Sequence, residues 1–262
     1  MNIDLKGRRA IVCGSTQGIG KAVATELALL GANVTLVARN EESLRQVKAG
    51  LSNNGNQLHS YLCADFSDPA QVRELTDQFI RRTGPVHILV NNTGGPAAGP
   101  VLSAHAEDFT SAFRNHLICN HLLVLACVEG MKNSGYGRVI NIISTSVKQP
   151  LPNLGVSNTI RGAVANWAKT MANELGQFGI TVNNVLPGAT GTQRLSAIIG
   201  TKAANTGASP EDVKEEMIRE IPLRRFAEPQ EIGAAVAFLA SPAAAYITGI
   251  NLPVDGGRTS SL

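Results

Sequence analysis

The chain has 262 residues, of which 44% are hydrophobic, and a formal net charge of +3. This length and composition allow one large buried core, so we expect a single domain, residues 1–262. The basic residues are scattered rather than clustered, which argues against a nucleic-acid partner and a polybasic membrane surface and favours a small-molecule partner.

Short runs rich in β-branched residues predict seven strands along the chain. They cover residues 10–13, 33–38, 58–63, 88–90, 139–143, 181–186 and 250–254. Segments with helical spacing lie between them, for example Ile19, Val23 and Leu27 after the first strand. This alternation predicts an α/β protein with a single-domain Rossmann fold, in which helices cover both faces of a doubly wound, seven-stranded parallel sheet.

Residues 193–225 form the one long stretch that we expect to be irregular. Its middle part, residues 200–210, is polar and rich in small residues, and a helical segment follows at residues 211–220. Ligands of doubly wound sheets bind beyond the carboxyl ends of the strands. We therefore predict that residues 193–225 are a mobile substrate lid over that edge.

The cysteines and histidines do not have the spacing of metal ligands, so we predict no metal site. We expect Cys13, Cys63, Cys119 and Cys127 to be buried, reduced thiols. No stretch reaches the roughly 18 uninterrupted apolar residues that a membrane span requires. The expectation is a cytoplasmic protein without a membrane partner.

A glycine-rich segment follows the first predicted strand and opens the first predicted helix. It consists of Gly14, Ser15, Thr16, Gln17, Gly18, Ile19 and Gly20. Glycines let the backbone approach a pyrophosphate, whose charge then lies against the N–H groups of a helix N-terminus. The context predicts a dinucleotide site, and a glycine cluster of purely structural use is the alternative.

The second predicted strand ends in Arg39 and Asn40, where an NAD-specific protein places an acid for the ribose 2′-hydroxyl. This chain has no acid there. The Arg39 guanidinium is suited to a 2′-phosphate, so NADP(H) is favoured over NAD(H). A solvated surface arginine is the alternative interpretation.

Two glycine-containing motifs resemble those of the short-chain dehydrogenase/reductase family. The spacing of Gly14, Gly18 and Gly20 is similar to the family's Gly-x-x-x-Gly-x-Gly, and residues 91–94 are similar to its Asn-Asn-Ala-Gly. The resemblance extends over about residues 5–258. It is greatest to bacterial 3-oxoacyl-carrier-protein reductases and to related sugar or polyol dehydrogenases.

The resemblance implies that Asp65 and Asn92 lie near the adenosine half of the cofactor, and Thr190 and Thr192 near the nicotinamide carboxamide. The other residues expected at the cofactor are Asn40, Phe66, Thr93, Gly94, Arg161, Pro187 and Gly188. Thr93 replaces the family's usual alanine and adds a hydroxyl. The resemblance also implies a homotetramer, formed through the helices that follow the fourth and fifth strands.

The family usually works with Asn, Ser, Tyr and Lys, the last two spaced Tyr-x-x-x-Lys. None of the three tyrosines in this chain has a lysine four residues later. Counting from the matching motifs places Ser144 at the serine position, Ser157 at the tyrosine position and Arg161 at the lysine position. Ser157 is a far weaker acid than a phenol. Arg161 cannot shuttle protons, but it can bind ribose hydroxyls and stabilise negative charge on a substrate oxygen.

The same count places His116 at the family asparagine position, although a shift of one residue would place Asn115 there. Another group must then supply the proton, and the candidates are His116 and Lys148, which lies on the loop after Ser144. A packed helix histidine and a solvated loop lysine are the alternatives.

The leading hypothesis is an NADP(H)-dependent oxidoreductase that acts on a small carbonyl or alcohol substrate, with an altered proton donor. The second hypothesis is an NADP(H)-binding protein without redox turnover, in a sensing or structural role. A third, a non-redox enzyme resembling halohydrin dehalogenases, is disfavoured because those enzymes keep the tyrosine and lack the glycine turn, whereas this chain has the reverse.

Overall fold

Strands and helices alternate along the whole of the computed structural model, which describes residues 1–261. The strands are β1 Arg9–Cys13, β2 Asn33–Ala38, β3 Ser60–Cys63, β4 Ile88–Asn91, β5 Gly137–Ile142, β6 Ile180–Pro187 and β7 Asn251–Val254. The α-helices are α1 Gly18–Leu29, α2 Glu41–Ala49, α3 Pro69–Thr83, α4 Ala106–Phe113, α5 Cys119–Ser134, α6 Gly155–Leu175, α7 Gln193–Thr206, α8 Pro210–Arg219 and α9 Pro229–Ala240.

The strands form one parallel sheet in the order β3-β2-β1-β4-β5-β6-β7. The central strands β1 and β4 are buried on both faces, which is why residues 10–13 and 88–90 are continuous apolar runs rather than alternating ones. The strand order reverses between β1 and β4, and ligands of such sheets bind at this point. The predicted Rossmann fold with seven parallel strands is confirmed.

Each face of the sheet carries its own layer of helices and its own apolar core. On one face Val12 shares a core with Leu27 of α1 and Val236 of α9. On the other face Leu89 shares a core with Leu123 of α5, and residues of α3 and α6 complete it. Burial on both sides holds the strands firmly, so the loops at their carboxyl ends start from fixed positions.

Four asparagine side chains form a hydrogen-bonded ladder across β4, β5, β6 and β7. Nδ2 of Asn91 donates to Oδ1 of Asn141 at 2.8 Å, Nδ2 of Asn141 to Oδ1 of Asn184 at 2.9 Å, and Nδ2 of Asn184 to Oδ1 of Asn251 at 2.8 Å. Each pair also consists of register neighbours in the sheet. The ladder therefore ties four strands together close to the loops that follow β4 and β5.

Strand β3 begins at Ser60, whereas the sequence pattern predicts a start at residue 58. Two hydrogen bonds to β2, each with one side-chain partner, replace the missing backbone pairs. The Leu58 N–H donates to Oδ1 of Asn33 at 2.6 Å, and Nδ1 of His59 accepts from the Val34 N–H at 3.1 Å. The other strand boundaries differ from the prediction by three residues or fewer.

The prediction of an irregular stretch at residues 193–225 is wrong in its first part, because helix α7 occupies residues 193–206, whereas the helical segment predicted at residues 211–220 is confirmed as α8. Thr192 caps α7, its hydroxyl accepting from the Leu195 N–H at 3.4 Å, and Ser209 caps α8 in the same way at 3.1 Å. The ion pair between Lys202 and Glu216 joins the two helices at 2.9 Å. A segment rich in small residues can form a helix when a capping residue is present. Composition alone therefore gave the wrong prediction for α7.

Three of the four cysteines, Cys13, Cys119 and Cys127, are buried as predicted, and burial raises the pKa of each thiol. Cys63 is exposed, contrary to the prediction, because it ends the edge strand β3. Residues 1–261 contain no group of three or more His, Cys, Asp or Glu side chains that could hold a metal ion. No helix in this part of the chain is long and apolar enough to cross a membrane.

Candidate active site

The predicted glycine turn joins β1 to α1 and packs tightly against the loop after β4. The backbone at Gly14 has a φ of +58°, and a β-carbon there would lie 2.4 Å from the Asn92 carbonyl oxygen. A β-carbon on Gly20 would lie 2.1 Å from the Gly14 carbonyl oxygen. Only glycine fits at either position. Gln17, the N-cap residue of α1, makes no side-chain cap, so the first N–H groups of α1 can meet an anion.

The polar residues of this turn have different surroundings. The Ser15 side chain is fully buried, and its hydroxyl accepts from the Val37 N–H at 3.0 Å. Ser15 therefore fastens the turn to β2, and only its backbone can face a cofactor. Nδ2 of Asn92 donates to the carbonyl oxygens of Cys13 and Gly14, both at 3.2 Å, so the predicted adenosine-side asparagine also braces the turn.

Arg39 and Asn40 lie exposed at the carboxyl end of β2. Oδ1 of Asn40 accepts from the Ser43 N–H at 2.8 Å and caps α2. Asp65 follows β3, the strand next to β2. The backbone N–H of Ser67 lowers the pKa of the Asp65 carboxyl, and the Arg39 charge lowers it more weakly. Arg39 forms no salt bridge with the described residues, so its guanidinium can receive a phosphate.

The predicted nicotinamide loop, residues 187–192, lies beside the glycine turn. Cγ2 of Thr192 is 3.1 Å from where a β-carbon on Gly18 would be. Within the loop, the Thr190 hydroxyl donates to the Gly188 carbonyl oxygen at 3.0 Å, and the Thr192 hydroxyl to the Thr190 carbonyl oxygen at 3.3 Å. The two halves of the predicted cofactor site are therefore adjacent.

Ser144 lies two residues beyond the end of β5. Its hydroxyl accepts from the Ser146 N–H at 3.1 Å and caps the short 3₁₀-helix Thr145–Val147. Lys148 follows this helix directly and is half-buried. The predicted serine and the predicted lysine candidate thus belong to one compact turn.

Ser157 and Arg161 lie one helical turn apart on α6, and each is only 8% exposed. Nη1 of Arg161 donates to the Ile142 carbonyl oxygen at 2.9 Å, which holds the guanidinium at the carboxyl end of β5. Burial first, and the positive charge of Arg194 second, lower the pKa of Arg161 to about 10. The group therefore remains a cation at neutral pH.

His116 lies in a π-helical turn, Arg114–Ile118, that connects α4 and α5. It is 2% exposed, and its Nδ1 is 2.6 Å from the Thr93 hydroxyl, whereas Asn115 is half-buried. Burial lowers the pKa of His116 to about 3, and the charges of Arg161 and Arg194 act in the same direction. His116 is therefore neutral at physiological pH.

Arg194, in the first turn of α7, is a site residue that the sequence analysis missed. Its Nη1 donates to the Gly95 carbonyl oxygen at 3.3 Å and its Nη2 to the Pro96 carbonyl oxygen at 3.1 Å. A β-carbon on Gly95 would lie 2.9 Å from Nη2 of Arg194 and 3.6 Å from Nη2 of Arg161. A cation in the first turn opposes the helix dipole, and this is the sequence signal that could have found it.

Comparison with known proteins assigns this arrangement to a family. Residues 14–259 match the family described as enoyl-(acyl carrier protein) reductase. The 3-oxoacyl-[acyl-carrier-protein] reductase FabG of Vibrio cholerae is 35% identical over 97% of this chain and 98% of its own length. The chain therefore belongs to the short-chain dehydrogenase/reductase family, and the prediction of an oxidoreductase of this type is confirmed.

Solved structures of similar sequence agree in fold along the whole chain. L-Sorbose reductase from Gluconobacter frateurii, complexed with NADPH and L-sorbose, has a TM-score of 0.93 at 28% identity, with 100% of both chains covered. A gluconate 5-dehydrogenase from Burkholderia cenocepacia, in complex with NADP and tartrate, has a TM-score of 0.88 at 30% identity, covering 100% of this chain and 98% of its own. Both relatives hold the cofactor predicted here.

Proposed function

We propose that this chain is an NADP(H)-dependent oxidoreductase that transfers hydride between the nicotinamide and a small carbonyl or alcohol substrate, with 3-oxoacyl-like compounds among the candidates. The observation that carries the proposal is the uncapped glycine turn of α1 at the topological switch point, with Thr192 packed beside Gly18. An anion fits there because free N–H groups meet the positive end of the helix dipole.

The cofactor is NADP(H) rather than NAD(H), because Arg39 and not an acid follows β2. Arg39 binds the 2′-phosphate, the glycine turn binds the pyrophosphate, and Thr190 and Thr192 hold the nicotinamide carboxamide. When bound, the cofactor supplies or accepts the hydride. The NADPH and NADP complexes of the two relatives described above support this choice.

At the reaction end, Ser144 orients the substrate oxygen, and Arg161 binds the nicotinamide ribose and stabilises negative charge on that oxygen. Arg161 is suited to this role because it is buried, held by the Ile142 carbonyl oxygen and charged at neutral pH. It does not deliver a proton under these conditions. Ser157, at the position of the family tyrosine, binds substrate or water rather than acting as the acid.

Proton delivery differs from the family pattern. His116 is neutral at physiological pH and bonded to Thr93, so its role is to position the loop after β4. Lys148, directly after the turn that Ser144 caps, is then the proposed proton donor. General acid catalysis is typically worth about 10²- to 10⁴-fold in rate, so the identity of this group decides the turnover.

The test is NADPH oxidation by the purified protein with a panel of 3-oxoacyl thioesters, sugars and 2-oxo acids. The substitution Ser144→Ala is expected to lower kcat/KM about 10²-fold, the usual loss for a donor to a reacting oxygen. Ser146→Ala is a matched control, because the Ser146 hydroxyl has no hydrogen-bond partner within residues 1–261. Unchanged turnover in Ser144→Ala would overturn the assigned site.

The alternative function is NADP(H) binding without turnover, and the missing tyrosine is the observation that favours it. Tight NADPH binding with no oxidation across the whole panel would establish it.

We also propose that α7 and α8 act as the substrate lid and that the chain assembles as a homotetramer through α5 and α6. The lid follows from the composition of residues 200–210 and the tetramer from the family resemblance, and size-exclusion chromatography with light scattering tests the tetramer.

A further inference from the structure

Two guanidinium groups meet at one point of the active site without an acidic partner. Arg161 and Arg194 both approach Gly95, at 3.6 and 2.9 Å from the position of a β-carbon on that residue. Neither arginine forms a salt bridge with any acid within residues 1–261. Their hydrogen bonds within the chain go to the backbone carbonyl oxygens of Ile142, Gly95 and Pro96.

This arrangement is unfavourable for the chain by itself. A buried cation without a counter-charge carries a desolvation penalty, and a second cation beside it adds repulsion. Arg161 is 8% exposed, so water screens its charge poorly. Neutral carbonyl oxygens offset only part of this cost. The arrangement is typical of a site whose negative charge arrives with a ligand.

The position of the pair distinguishes the substrate from the cofactor as the source of that charge. The proposed pyrophosphate site is the glycine turn, residues 14–20. Arg161 instead bonds to Ile142 at the end of β5, and Ile142 lies two residues before Ser144. Both arginines are also close enough to His116 for their charges to act on it. The pair therefore lies at the reaction end of the cleft.

We propose that Arg161 and Arg194 together bind a carboxylate of the substrate, so that the preferred substrates are small oxo acids or hydroxy acids rather than neutral ketones or alcohols. This inference rests on the function proposed above. A carboxylate is the matching group because its two oxygens can accept from two planar guanidinium groups at once. Gly95 leaves room for the Arg194 fork, because a β-carbon at 2.9 Å would displace it.

Arg194 belongs to the predicted lid, whereas Arg161 belongs to the fixed scaffold of α6 and β5. A carboxylate between them would join the two parts. The hydrogen bonds from Arg194 to the carbonyl oxygens of Gly95 and Pro96, at 3.3 and 3.1 Å, connect α7 to the loop after β4. Substrate charge would thereby determine how firmly the first turn of α7 is held.

The direct test is calorimetric titration of oxalate, an unreactive dicarboxylate, into the protein with and without saturating NADP⁺. We expect binding that weakens at least tenfold in Arg194→Gln and is unchanged in Arg219→Gln. Arg219 is a matched control in α8, where it is exposed and paired with Glu215 at 3.0 Å. NADP⁺ affinity should stay within threefold of wild type in both variants.

Equal oxalate binding by wild type and Arg194→Gln, or no oxalate binding at all, would overturn the inference. A tenfold loss of NADP⁺ affinity in Arg194→Gln would also overturn it, because Arg194 would then serve the cofactor. A second measurement compares 2-oxobutanoate with butanone as substrates, and wild type should prefer the acid by at least tenfold, a preference lost in Arg194→Gln. Oxalate binding without NADPH oxidation on any carbonyl would instead contradict the proposed function alone.

Discussion

The Thr93 hydroxyl lies 2.6 Å from Nδ1 of His116, so two side chains that we predict to differ from the family motifs contact each other. Threonine takes the usual place of alanine in the loop after β4, and histidine takes the place that the residue count assigns to asparagine. The contact joins this loop to the π-helical turn between α4 and α5. The contact therefore couples the surroundings of these two side chains.

Because His116 is buried and Thr93 is half-buried, loss of either side chain leaves the other without its partner, so the two losses should not be additive. We expect Thr93→Ala to lower the free energy of unfolding by about 1 to 3 kcal/mol, the cost of a buried polar group left unpaired. The double variant Thr93→Ala/His116→Asn should fall short of the sum of the single effects by about 0.5 kcal/mol or more. Urea denaturation of the four proteins measures this coupling.

Thr25→Ala is the control for this cycle, because the Thr25 hydroxyl bonds only to the Lys21 carbonyl oxygen one turn back on an exposed helix face. Its effect should stay within about 0.5 kcal/mol. Strict additivity of Thr93→Ala and His116→Asn would show that the contact contributes no coupling.

Stability should fall as the pH drops below neutral, because folding disfavours protonation of two histidines. Burial lowers the pKa of His116 from 6.5 to about 3 and that of His87 from 6.5 to about 4. Below pH 6.5 the unfolded chain therefore binds more protons than the folded one, and each histidine removes about 1.4 kcal/mol per pH unit. The stabilisation is complete above pH 6.5 and is lost as the pH falls towards the folded-state values.

Urea denaturation of wild type and His116→Asn between pH 7 and pH 4 tests this pH dependence. The variant should show the shallower decline, by about 1.4 kcal/mol per pH unit. Identical slopes for the two proteins would mean that His116 is not held neutral in the folded state.

Replacing Arg39 should change cofactor choice more than cofactor binding in general. Arg39→Ala removes the cation that faces the 2′-phosphate, so we expect NADPH affinity to fall about tenfold or more while NADH affinity stays similar. Fluorescence titration with both cofactors measures the ratio. Arg45→Ala is the matched control, because Arg45 is exposed on the nearby α2 and pairs with Glu41. A parallel loss for both cofactors would contradict the assigned role.

Adding a methyl group at Gly20 should weaken cofactor binding strongly. The new β-carbon would lie 2.1 Å from the Gly14 carbonyl oxygen, so the whole turn must move. We expect Gly20→Ala to lower NADPH affinity by at least tenfold. Gly200→Ala in α7 meets nothing within 4 Å and should bind NADPH normally, with slightly higher stability because alanine favours helix. Normal NADPH binding by a folded Gly20→Ala protein would remove the basis for the site.

The asparagine ladder should be important for stability. Asn141→Leu leaves the amide of Asn91 and the Oδ1 of Asn184 without their bonds at 2.8 and 2.9 Å. Each orphaned buried group costs about 1 to 3 kcal/mol, and urea denaturation should show a loss in that range or above it. Asn166→Leu on the exposed face of α6 should have a small effect. Equal stability of the two variants would contradict the ladder's role.

Most of the scaffold follows from local sequence signals. Strand and helix alternation, the glycine turn and the arginine after β2 are each encoded within a few neighbouring residues, and the structure confirms the sheet that they predict. The assignment of Ser144, Ser157 and Arg161 to the family positions stays a prediction, because the residue count runs from β5 across a loop to α6. Composition failed where caps decide the outcome, as in α7, whose N-cap at Thr192 outweighs a loop-like composition.

The relationships that give the candidate site its chemistry are long-range. The contact between Arg194 and Gly95 spans 99 residues, and that between Thr93 and His116 spans 23. The depressed pKa of His116 arises from burial and from two arginines on other elements. By itself the sequence determined the fold and predicted the cofactor end of the cleft, since periodicity and glycine spacing act locally. Only the tertiary structure decided which charges meet at the reaction end, because burial and proximity depend on packing between distant segments.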